Sequence, residues 1–224
     1  MAGKITRYER QLPILRKSGQ ANLEKSRIAV VGCGGLGSIA SQYIAMSGAG
    51  FIRLIDYDKV EESNLNRQFF SVKDLGKPKA SCLKDRLLSL NPDVKIEEIQ
   101  EKLKPENAKN LILDCDIILD CLDSLEARLT LSAACQTLKK PLVHGSIHGI
   151  SGQQITLLPG SGYLDFLKGK TQPKGKTPAI GPAPGIIGSL QALEAIKLIT
   201  GCGKPNTQIL LFDGEKNRVE LVRM

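Results

Sequence analysis

The chain has no tryptophan, and its few tyrosines and phenylalanines bring aromatics to only 4 % of 224 residues. That is poor support for the stacking platforms of nucleic-acid binders, although the net charge is +8. The basic residues are interleaved with acidic ones, so nucleic acid is not an expected partner. No stretch approaches the roughly 20 apolar residues of a membrane span, and the opening MAGKITRYERQLP lacks a signal-peptide core. A cytoplasmic protein with no membrane partner is expected. The six cysteines include no two closer than six positions, which leaves no C-x-x-C pair to clamp zinc or cycle a disulfide. Several lie in apolar runs, as Cys115 and Cys121 do beside DIILD, and read as buried reduced thiols. Histidine is also scarce: His144 and His148 share a strand face, no third ligand is visible, and a structural role at a strand end is expected.

What the chain does have is alternation. Short runs rich in Ile, Leu and Val at 28–32, 51–56, 94–99, 116–120 and 141–147 read as strands. Between them, 36–48, 78–90, 105–113 and 124–139 read as helices. After HGSIHG, the segment SGQQITLL reads as a strand returning antiparallel through a glycine turn. Residues 159–185 hold too many Gly, Pro and Lys for regular structure; a helix resumes at 186, and strands at 208–212 and 218–222 flank DGEKN. The expected fold is α/β: a Rossmann-like doubly wound mixed sheet, mostly parallel, with antiparallel C-terminal strands.

The stretch IAVVGCGGLGS, residues 28–38, runs a buried strand into Gly32, Gly34, Gly35 and Gly37 and then into a helix. Amides at such a helix start can face phosphate oxygens, and Asp56 closes the next strand where an acid can accept ribose hydroxyls. A nucleotide is implied, dinucleotide or triphosphate. The following segment, with Asn64, Asn66, Arg67, Gln68 and Lys79, supplies donors and positive charge suited to a triphosphate. Beyond the strand DIILD stands Asp123, a candidate for magnesium. Each has a plainer reading as well: Arg67 and Lys79 as solvated charges, Asp123 as the N-cap of the next helix.

RYERQ, GCGGLGS, D-x-D…SNLNRQF, G-x-P-K and DCLDS…R occur in that order. In these motifs and their spacing the chain resembles the MoeB/ThiF/HesA family of ubiquitin-activating-type adenylyltransferases. The resemblance covers nearly the whole chain and implies one adenylation domain: a helical arm 1–25, a nucleotide-binding core 26–158, a crossover loop 159–185, and a C-terminal helix with strands 186–224. It implies a homodimer that uses Mg-ATP to adenylate the C-terminal glycine of a small ubiquitin-like sulfur carrier protein ending in Gly-Gly. In that scheme Gly32, Gly34, Gly35 and Gly37 form the nucleotide loop, Asp56 binds ribose, and Arg67 and Lys79 bind phosphates. Asn64 and Gln68 support them, Asp123 holds magnesium, and Arg10 reaches in from the other subunit.

Two departures stand out. Ser124 replaces the usual asparagine after the magnesium aspartate, and the cysteine pairs that hold a structural zinc in many relatives are missing, as is a cysteine in the crossover loop. A zinc-free protein that stops at the acyl adenylate, with sulfur from a separate donor, is therefore expected. Cys202, in the glycine-flanked TGCGKP, is expected to be exposed. Lys168, Lys170, Lys174 and Lys176 lie in the loop that crosses the carrier's tail in the family. An NAD-type oxidoreductase and a silent carrier-binding scaffold are the alternatives.

Overall fold

The computed structural model describes residues 7–161 and 177–223. The first strand shows why the sequence builds a layered α/β structure. In β1 (Arg27–Val31), Ile28 and Val30 enter one core while Ala29 and Val31 enter another. A strand buried on both faces needs a continuous apolar run and helices on either side. Seven further strands complete the sheet: β2 (Phe51–Ile55), β3 (Lys95–Ile99), β4 (Ile117–Asp120), β5 (Leu142–His148), β6 (Ser151–Leu157), β7 (Ile209–Asp213) and β8 (Arg218–Val222).

Their order is β3-β2-β1-β4-β5-β6-β7-β8. The first five run parallel, and β5 through β8 pair antiparallel. The doubly wound mixed fold is as the sequence pattern predicts, including the return at Gly149, which takes φ +62°. Chain order reverses between β1 and β4, which opens a crevice at their carboxyl ends.

The helices are α1 (Leu12–Lys25), α2 (Gly35–Ser47), α3 (Lys79–Leu90), α4 (Ala108–Ile112), α5 (Leu125–Leu138) and α6 (Pro182–Thr200). Residues of α1, α2, α3 and α6 pack on one face of the sheet, and those of α4 and α5 on the other. Helix α1 is two pieces joined at Arg16, which takes φ 61°.

Three sequence expectations need correction. Helix α6 starts at Pro182, inside the segment assigned to the crossover loop. Proline has no N–H to lose in a first helical turn, so these prolines open the helix instead of excluding it. Helix α4 is shorter than 105–113 because Asn107 builds a turn first, its side-chain oxygen accepting the N–H of Lys104 at 2.8 Å. Cys202 is half-buried and packs against the core. The other five cysteines are buried and unpaired, and burial pushes the Cys135 thiol up to about 12. Lys168, Lys170, Lys174 and Lys176 lie outside the described residues.

Candidate functional site

The glycine turn leaves β1 at the crevice. Gly32 takes φ +95°, and a Cβ there would lie 2.6 Å from the carbonyl oxygen of Cys121, so the turn after β1 is pressed against the turn after β4. A Cβ on Gly37 would stand 1.9 Å from the Gly32 carbonyl oxygen, and one on Gly35 would meet Pro184 at 3.0 Å. Those three glycines answer first to the protein's own packing. Gly34 differs, because its nearest neighbour is the Gln68 amide nitrogen, 3.6 Å from an added Cβ. Behind it α2 presents the unpaired N–H groups and positive dipole end of a 13-residue helix.

Asp56 sits at the end of β2, buried at 9 % exposure. One carboxylate oxygen accepts the Cys33 N–H at 2.6 Å and the other the Asp58 N–H at 2.8 Å. Burial raises its pKa against the lowering effect of these N–H groups and of Lys79. Lys79, in the first turn of α3, is buried, and its Nζ donates to Asp58 at 2.9 Å. It is therefore not a solvated surface charge.

Between them, the 62–70 segment is folded on itself. Asn64 is buried, and its side-chain oxygen accepts the Glu61 N–H at 3.0 Å, which commits that atom to capping a short 3-10 turn. Arg67 donates to the Ser63 carbonyl at 2.7 Å and to the Asn66 side chain at 2.9 Å. The buried Gln68 keeps its Oε1 without a hydrogen-bond partner among the described residues. The atom of Gln68 beside Gly34 is its amide nitrogen, a donor suited to an anionic ligand.

Asp123 stands across the crevice, exposed, and no hydrogen bond or ion pair engages its carboxylate among the described residues. It does not cap α5. Ser124 does, its hydroxyl accepting the Ala127 N–H at 3.3 Å. The Tyr57 hydroxyl is pushed up by the charge of Asp58, then by burial, and then by Asp123 and Asp56, so these carboxylates act on one space. An exposed carboxylate beside a polyanion site has the hard oxygen chemistry that suits Mg2+.

Arg10 is placed elsewhere. Its neighbours Tyr8 and Gln11 are anchored at the far end of α2, Gln11 donating to the Ser47 carbonyl at 2.8 Å and Tyr8 accepting from Asn91 at 3.0 Å. A 13-residue helix, roughly 20 Å, separates that end from the glycine turn.

Several residues at the crevice are not among the site residues expected from the sequence. The guanidinium of Arg128, the arginine of DCLDS…R, donates to the Leu122 carbonyl at 3.1 and 2.5 Å. The Gln191 side chain donates to the carbonyls of Asp120 at 2.8 Å and Val143 at 3.0 Å. His144 is not at a strand end: it is fully buried within β5, and its Nδ1 lies 2.7 Å from Asp120 Oδ2, whereas His148 is exposed. A histidine inside PLVHG was the visible signal, because a buried polar side chain in an apolar strand requires a partner.

A glycine turn, a buried acid at the end of the next strand, a buried lysine and an exposed aspartate thus lie at the switch point of a doubly wound α/β sheet. The ThiF family model matches residues 8–224, and the chain belongs to the ThiF family. It is 36 % identical over 221 residues to the sulfur carrier protein ThiS adenylyltransferase of Escherichia coli (strain K12), covering 95 % of this chain and 88 % of that protein. It is 40 % identical over 221 residues to the adenylyltransferase and sulfurtransferase MOCS3 of Drosophila sechellia, covering 94 % of this chain. The chain spans 49 % of the length of that relative. The fold matches the crystal structures of E. coli MccB, at TM-score 0.87 and 22 % identity over 97 % of this chain and 69 % of that one, and of PaaA, at 0.85 and 23 % over 100 % and 84 %.

Proposed function

We propose that the chain is an adenylyltransferase that uses ATP to activate the C-terminal glycine carboxylate of a small ubiquitin-like sulfur carrier protein, ThiS- or MoaD-like. Pyrophosphate leaves, and the carrier is primed for thiocarboxylate formation. The observation that carries this reading is the meeting of Asp56, Lys79, Gln68 and Asp123 around the glycine turn. Membership of the ThiF family and the activity named for its relatives support it.

The chemistry needs positioning and positive charge and no protein nucleophile. A carboxylate oxygen of the carrier attacks the α-phosphorus, the bond to the bridging α–β oxygen breaks, and its electron pair leaves with pyrophosphate. Asp56 accepts from the ribose while holding the turn through Cys33. The amides of Gly34 and Gly35 face phosphate with the Gln68 amide, and Lys79 shifts from Asp58 towards the phosphates. Arg67 must leave its local carbonyl to do the same, with Asn64 holding its turn.

Asp123 would hold Mg2+, which neutralises phosphate charge when bound. Arg10 lies next to residues anchored at the far end of α2 from its own crevice, so in our reading a homodimer places it in the partner's site. The chain acts as one adenylation domain, without structural zinc, and a separate donor supplies the sulfur, in thiamine or molybdenum-cofactor synthesis in the cytoplasm. Among the described residues no helix is long and apolar enough to cross a membrane.

The test is ATP–pyrophosphate exchange against a panel of carrier proteins. Exchange that requires a carrier ending in Gly-Gly is expected. Carrier binding without exchange would make the chain a scaffold, and hydride transfer with NAD would make it an oxidoreductase; either outcome overturns the proposal.

A further inference from the structure

Asp120 and His144 are both completely buried, and neither is used in the chemistry above. Asp120 ends β4, three residues before Asp123. One of its carboxylate oxygens lies 2.7 Å from His144 Nδ1, and the other accepts the Leu122 N–H at 3.1 Å. The same carboxylate thus joins β5 to the turn that leads to Asp123. The turn's other backbone groups are also held: Gln191 bonds the Asp120 carbonyl, Arg128 bonds the Leu122 carbonyl, and the Cys121 N–H donates to Val31 at 2.9 Å.

A fully buried carboxylate is costly unless it is paired and hydrogen-bonded. Burial alone would raise the Asp120 pKa, but the hydrogen bond from His144, with the charge of Arg128 and the Leu122 N–H, holds it below the ordinary carboxylate value. The neutral Nδ1–H tautomer suits the surroundings, because the imidazole Nε2 then accepts from the Gln153 amide at 3.4 Å.

We infer that His144 is a positioning residue: by holding the Asp120 carboxylate it fixes the Leu122 turn and so the place of Asp123. The inference rests on the adenylation reading for the role of Asp123, and not for the geometry. Without the imidazole, Asp120 must protonate or rotate, and either change weakens its hold on the Leu122 N–H.

The experiment compares His144→Asn, whose amide reaches the depth of Nδ1, with His144→Leu, in the full chain. In nucleotide-free protein the Leu122 amide should exchange with solvent at least about tenfold faster in the Leu variant and near the wild-type rate in the Asn variant. Under exchange assay, the Leu variant should need roughly 10–100-fold more Mg2+ and lose kcat with little change in KM for ATP, and Asn should restore both. Should the Leu variant not fold, His144→Gln takes its place, since its amide reaches past the Nδ1 position to that of Nε2. Wild-type amide protection and Mg2+ dependence in the Leu or Gln variant, or an Asn variant no better than it, would overturn the inference. If the wild-type protein shows no Mg2+-dependent nucleotide binding, the adenylation reading fails instead, while amide protection still decides the positioning.

Discussion

The carboxylate of Asp56 accepts the backbone N–H of Cys33 at 2.6 Å, so the end of β2 and the glycine turn after β1 are one hydrogen-bonded unit. This acid therefore supports the fold as well as a ligand. Asp56→Ala strands the Cys33 N–H in a buried position, and a loss of about 1–3 kcal/mol is expected, together with loss of nucleotide affinity. Urea denaturation and ATP titration of the same preparation check it. Wild-type stability in the variant would mean that the bond contributes nothing to the folded state.

The glycines should divide into two kinds. Gly37→Ala drives a methyl to 1.9 Å from the Gly32 carbonyl oxygen, which the backbone cannot absorb. A destabilisation above roughly 4 kcal/mol, or failure to fold, is expected. Gly34→Ala meets only the Gln68 amide at 3.6 Å, so it should fold like the wild type and bind ATP more weakly. Thermal melts with ATP titrations separate the two, and equal destabilisation would contradict the assigned packing.

Asp123→Ala should leave stability within about 0.5 kcal/mol, because Ser124 and not Asp123 caps α5. Pyrophosphate exchange should fall by a factor on the order of 10²–10³ while ATP affinity weakens modestly, as expected for a group that matters most when charge develops. Near-normal exchange would remove the metal assignment.

The distance of Arg10 from its own crevice makes a complementation test decisive. Arg10→Ala and Asp123→Ala homodimers should each be strongly impaired, yet mixing the two should restore activity, since one site of each mixed dimer collects both lesions and the other is intact. No recovery, with subunit exchange verified by mass spectrometry, would count against a shared site.

Arg53 is a buried cation whose guanidinium donates to Asp114 at 2.5 Å, and this bond, against a smaller burial effect, helps hold the Asp114 pKa at about 2. A carboxylate depressed on folding contributes stability that is fully present above its unfolded pKa, about 3.9, and is lost as pH falls towards 2. Asp114 is 49 % exposed, so solvent screening limits the effect to about 1 kcal/mol. Denaturation of wild type and Asp114→Ala should differ at pH 7 and converge near pH 2. A difference that persists at pH 2 would place its origin elsewhere.

The order of strands and helices, the glycine turn, the acid closing β2 and the antiparallel return at Gly149 were legible in the sequence. Each depends on neighbours along the chain: apolar runs set burial, and glycine permits the turns. Local reading misjudged what depends on wider context. The prolines at 182 and 184 read as breakers, although a helix tolerates proline in its first turn, and the cap of α5, the plainer reading of Asp123, falls to Ser124.

Which glycine is left for a ligand could not be read at all, because the crowding of Gly32 comes from Cys121, in the turn after β4, which is adjacent only once β4 docks beside β1. The same holds for His144. Sequence alone determined that a polar side chain stands in an apolar strand. That its partner is Asp120, 24 residues away, was decided by the parallel pairing of β4 with β5, which sets Asp120 opposite His144 in register. A buried charge must find its counter-group through space, and only the assembled sheet says which residues are neighbours.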